Sequence, residues 1–124
     1  MNTTTSPIPS PINDEAFISA FEDLSLPPEL FDHQGHIRIC WLYLNRYPLN
    51  IALQRTCDGI QSYATSLGAT DKFNYPLTEA FVRIMSQRIE ANTTPNWPTF
   101  LNQNKDLVDD AVGVIRQYDA TVVK

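Results

Sequence analysis

Two cysteines, Cys40 and Cys57, are all that the 124 residues contain. So few thiols exclude a disulfide framework, and their spacing matches no paired-cysteine zinc or redox motif. Basic residues are short as well: nine Lys and Arg against fourteen Asp and Glu leave a net charge of −5. A chain of that sign lacks the basic face that nucleic acid or an anionic bilayer surface would require. No apolar run is long enough to span a bilayer, and no basic start leads into an apolar stretch as in a signal peptide. The expectation is a cytoplasmic protein with no membrane and no nucleic-acid partner. Sustained period-two alternation is missing too, and so are internal repeats, which removes strands and solenoids from consideration.

What is present is helical. Residues 1–12, "MNTTTSPIPSPI", hold three of the nine prolines and no charge, and are expected as a flexible Pro-rich tail. From 13 to about 120 the chain reads as one helical domain. Asn13 is a plausible N-cap, followed by Asp14 and Glu15 at the positive helix end. Phe17, Ile18, Phe21 and Leu24 recur at helical spacing as far as Asp23. "LPPELF" breaks this helix, and Asp32 can cap a second that ends at Tyr47. Pro48 opens a third, with an expected apolar stripe of Leu49, Leu53, Ile60, Ala64 and Leu67. Gly68 is its stop. A fourth begins near Pro76 with Leu77, Phe81, Ile84 and Met85 inward. Asn96 caps a short fifth, docked by Trp97, and 106–118 reads as the last. The fold class is therefore all-α, a single-domain bundle of five or six helices.

The chemistry concentrates in "FDHQGHIRICWLYLNRYP", residues 31–48, which carries both histidines three positions apart. On a helical wheel His33, His36, Ile37, Cys40, Leu44 and Tyr47 share one arc, with Trp41 on its shoulder and Arg38, Tyr43 and Asn45 elsewhere. Both imidazoles are thus expected on the buried side, where each unmade hydrogen bond costs about 1–3 kcal/mol. Three roles fit. The rings can be satisfied core residues. They can hold a divalent metal such as zinc or nickel, since i and i+3 side chains can share an ion, although a catalytic zinc wants a third protein ligand. Or they can serve acid–base chemistry or polar ligand recognition without metal. Cys40 follows His36 by one turn but reads as a small packed hydrophobe.

The motif Phe31-x-His33-x-x-His36-x-x-x-x-Trp41-x-x-Leu44, then "YPLNIAL", "KFNYPLT" at 72–78 and "WPTFL" at 97–101, resembles a group of small bacterial helical proteins without an assigned activity. The resemblance runs over roughly 28–107. In the group the second block reads approximately Lys-Tyr-His-x-Thr-x-Thr, so Lys72, Phe73 and Thr78 match it and Asn74 stands where a third histidine is usual. An amide replaces imidazole poorly on zinc, yet still donates and accepts hydrogen bonds. Read without the group, Asn74 is simply a cap for helix four, and Thr78 faces helix two if that helix starts early enough.

The residues together point to a polar pocket formed by His33, His36, Asn74 and Thr78, with Trp41 and Lys72 as further ligand-binding candidates. The leading expectation is a small accessory protein binding a small-molecule ligand or a divalent metal. A small enzyme using His33 or His36, and a purely structural interaction module, are the alternatives. Arg88, near the apolar stripe of helix four, reads either as a side chain reaching past the core or as an arginine aimed at an anion.

Overall fold

The computed structural model describes residues 13–69, 73–94 and 96–122. Among them are seven α-helices and no strand: α1 Asp14–Glu22, α2 His33–Arg46, α3 Leu49–Ser66, α4 Tyr75–Ala91, α5 Trp97–Gln103, α6 Lys105–Asp109 and α7 Ala111–Tyr118. The all-α expectation holds, with a count above the five or six read from sequence. The tail at 1–12 and Lys72 lie outside the described residues.

Side-chain caps start most of these helices. Asn13, Asp32, Asn74 and Asn96 each accept a backbone N–H three residues on, at 2.8–3.1 Å, satisfying donors that have no partner inside the helix. Two helices end in the same double turn. After α3, Gly68 takes φ +76° while its N–H donates to Thr65 and the N–H of Ala69 to Ala64. After α1 the same left-handed position falls on Leu24, at φ +67°, with N–H donation from Leu24 to Phe21 and from Ser25 to Ala20. Glycine is the usual occupant of that position, because a Cβ there crowds the carbonyl.

The extra helix comes from a break at Asp110. Residues 106–118 read as one helix, but Asp110 leaves helical geometry at φ −149°, ψ 57° and its carboxylate accepts the N–H of Gly113. The signal was an Asp-x-x-Gly cap hidden inside a continuous apolar period.

α2 is the central element, packed against α1, α3, α4 and α6. Ile37, Ile39, Cys40, Trp41, Leu42 and Tyr43 are all buried, so its middle is covered on nearly every side rather than along one stripe. The polar tips that pointed away on the wheel are met by α1. Arg38 pairs with Asp14 at 2.8 Å and lies 4.6 Å over the Phe17 ring, and Tyr43 donates its hydroxyl to Glu22 at 2.6 Å. On α3 the buried set is Ala52, Leu53, Thr56, Cys57 and Tyr63. Of the expected stripe only Leu53 is buried, and Leu67 stands exposed. Tyr63 turns this helix, because its ring packs 4.7 Å from Phe31 and its hydroxyl donates to the Leu26 carbonyl at 2.5 Å. Phe21 completes an aromatic cluster, 4.9 Å from Phe31. Such ring pairs add about 0.5–1.5 kcal/mol each beyond their buried area, and they anchor the segment that leads into the histidines.

Gly35, between the two histidines, is demanded by that anchoring. A Cβ there would sit 2.3 Å from the Leu30 carbonyl oxygen, so only glycine lets the 3-10 turn Pro28–Leu30 lie against the start of α2.

Candidate functional site

Asp32 fixes the first turn of α2, and both histidines of that turn line one cavity. Between α2, α3, α4 and α7 lies a half-open cavity of about 460 Å³. Its polar lining is Asp32, His33, His36, Thr56 and Thr78, and its walls include Phe31, Ile60, Leu77, Phe81, Val82 and Ile115. The volume is within the range of small-molecule sites, roughly 300–1,000 Å³.

Each histidine has one nitrogen committed to a backbone carbonyl. His33 stands at the rim, exposed as a residue, and its Nε2 lies 2.7 Å from the carbonyl oxygen of Leu107. Carbonyls in the last turn of a helix have no intrahelical donor, and α6 stops at Asp109, so His33 fastens α2 to the end of α6. His36 is half-buried, stacked on Phe31 with centroids 4.0 Å apart, and its Nδ1 lies 2.9 Å from the Asp32 carbonyl oxygen. A carbonyl can only accept, so the proton in each neutral ring sits on the committed nitrogen. Nδ1 of His33 and Nε2 of His36 are left as acceptors. Burial pushes the His36 pKa below its usual 6.5; the Asp32 carbonyl opposes this, the His33 charge adds to it and the Asp32 charge opposes it. The ring is therefore neutral at pH 7.

Thr56 forms part of the cavity wall and is 1% exposed, and its Oγ1 has no hydrogen-bond partner in the protein. Neither it nor α7 was singled out from the sequence. Threonine at an inward helical position carries no mark that separates it from one bonded to its own backbone.

The other sequence candidates divide. Thr78 joins the histidines. Asn74 does not line the cavity; its side chain is occupied as the N-cap of α4, accepting from Leu77 at 3.1 Å. Trp41 faces away, 6.0 Å from Trp97 and 6.1 Å from Phe100, where it seats α5 on the bundle. The expectation that both histidines are buried is corrected for His33, because the exposed first turn of α2 lets its ring reach outward to α6. Arg88 neither extends freely nor awaits an anion. It makes a two-pronged pair with Asp106, at 2.8 and 3.0 Å, and donates to Asn104 at 2.9 Å.

The described residues do not fit a zinc or nickel centre. Among the described residues no group of three or more His, Cys, Asp and Glu side chains is placed to hold a metal ion. His33 and His36 gain no third ligand from Asn74, which is capping α4. Cys40 is fully enclosed, and burial drives its thiol pKa far up, so the thiolate that binds metal or attacks a substrate is disfavoured. Cys57 is pushed up to about 11, again mainly by burial. Among the described residues no helix is long and apolar enough to cross a membrane.

Compared with known proteins, the chain matches no family model, no curated protein and no solved structure. The resemblance drawn from the histidine motif and the later blocks rests on those sequence patterns alone.

Proposed function

We propose that this chain is a small ligand-binding protein whose site is the cavity between α2, α3, α4 and α7. One observation carries the reading: His33, His36, Thr78 and Asp32 converge on a single apolar-walled cavity of small-molecule size. Polar groups gathered on one band of an apolar enclosure orient a ligand, while the walls supply the burial. A catalytic reading would rest on His33 or His36, with no activated nucleophile beside them among the described residues. Cys40 is held as a thiol, Ser66 donates its hydroxyl to the Tyr63 carbonyl, and Ser62 lines a different surface hollow beside Glu22 and Arg55. Binding is accordingly the function the geometry supports best.

Titration with indole, an apolar probe of modest size, tests it by amide and methyl NMR. Shifts concentrated at Val82, Ala111 and Ile115, and lost in Ala111→Phe, which fills the cavity, are the expected result. Shifts absent from these residues, or unchanged by the filling variant, would overturn the proposal.

A further inference from the structure

The hydrogen-bonding inventory of the cavity is one-sided. His33 and His36 have each spent an N–H on a carbonyl, of Leu107 and Asp32, and the second nitrogen of the neutral His36 ring is a bare acceptor. The Asp32 carboxylate accepts the Gly35 N–H at 2.9 Å, and a carboxylate has only acceptor capacity to add. Among the described residues no lysine or arginine lines the space, and of those that do line it only the hydroxyls of Thr56 and Thr78 can donate as well as accept. The nearest arginine on α2, Arg38, is tied to Asp14 on the far side.

We infer that the ligand of this cavity carries a hydrogen-bond donor, a hydroxyl or amino group, on an apolar body, and that the cavity discriminates against carboxylates and other anions. The inference rests on the cavity being the binding site. An anion would bring negative charge beside Asp32 with no cation among the described lining residues to offset it, and a pure acceptor such as an ether would leave a ring nitrogen facing lone pairs. A donor satisfies that nitrogen, and a hydroxyl can in addition serve Thr56, whose oxygen has no partner in the protein. Leaving a buried polar group unpaired is the strongest source of discrimination between ligands of like shape.

Acid should weaken such binding. The titratable groups around His36 are Asp32, His33 and Cys40 on α2 and its cap, and Tyr63 of α3 on the ring's other side. Among the described residues the rest of the lining, from α3, α4 and α7, holds none. Once protonated, the imidazole carries N–H on both nitrogens and meets a ligand donor with a donor.

The test compares 1-octanol, its isomer heptyl methyl ether and octanoate on the full chain at pH 7.5, by NMR shifts at Val82, Ala111 and Ile115. The alcohol is expected to bind at least tenfold more tightly than either of the others, with its affinity falling as the pH is lowered below 6.5 and His36 takes up its proton. His36→Leu should erase its advantage over the ether; should that variant not fold, the pH comparison on the parent chain carries the same information. Equal binding of ether or octanoate would overturn the donor rule while leaving the cavity as a binding site. Failure of all three, and of indole, to move these residues would remove the cavity reading and this inference with it.

Discussion

Replacing Thr56 by valine should make the protein more stable. The two side chains have the same shape, both are branched at Cβ, and their helix propensities are close, so backbone terms nearly cancel. What changes is a hydroxyl that is 1% exposed as part of its residue and has no partner in the protein. A buried polar group left unpaired costs about 1–3 kcal/mol, and exchanging it for a methyl removes that cost. Taking the lower end, the gain is about 1 kcal/mol. With an unfolding entropy of about 2.1 cal/mol/K per residue over 124 residues, that raises Tm by about 4 °C. Differential scanning calorimetry and urea unfolding both read it, the latter as a higher midpoint at unchanged slope. A lower Tm would refute the reasoning, because it would mean that the hydroxyl is bonded in solution, for instance to the carbonyl one turn back along α3.

Gly35→Ala should cost about 2 kcal/mol by urea unfolding despite alanine's better helix propensity, because its Cβ would press on the Leu30 carbonyl, a backbone group that cannot step aside; a stability equal to the parent's would show that the turn is not seated as described. Leu24→Gly should stabilise by about 0.5–1 kcal/mol, since it relieves a left-handed backbone at an exposed side chain, and a loss of stability in the same assay would contradict that. Stability should also fall as the solution is acidified, in two stages. His36 has a depressed folded pKa, so its contribution is complete above 6.5 and declines as pH drops through the folded value, the unfolded chain taking up the proton first. Asp106, held down by Arg88, gives a second loss as pH falls below 3.8. Tm measured against pH should lose the upper stage in His36→Gln, and an unaltered profile in that variant would disprove the assignment.

The parts legible in the sequence are those decided locally. Asn13, Asp32 and Asn96 cap where the spacing said they would, because a cap is settled by a side chain and the N–H three residues ahead. Asn74 shows the same rule winning against a functional expectation: its cap role was available from four residues of sequence, whereas a pocket role needed a distant partner. The face of α3 is legible only in part: Leu53 is buried and Leu49 and Ile60 pack on the core, but Tyr63, which gains both a ring cluster and a hydrogen bond to Leu26 by turning inward, is not marked by apolar character alone. Tyr43 and Arg38 escaped the wheel for a similar reason, since their polar ends are met by acidic groups on α1. The cavity was half visible. His36 and Thr78 came from the motif, but the α7 wall depends on the turn at Asp110, and no periodicity in 106–118 marks it.

That turn has a consequence for how the cavity behaves. Three of its sides are helices of 14, 18 and 17 residues, and the fourth is α7 with eight. A helix of two turns does not sustain itself in water and persists only while its inner side chains stay seated. Whatever fills the space beside Ala111, Val112 and Ile115 therefore adds contacts to the weakest partition, and occupancy and the ordering of that partition become one linked equilibrium.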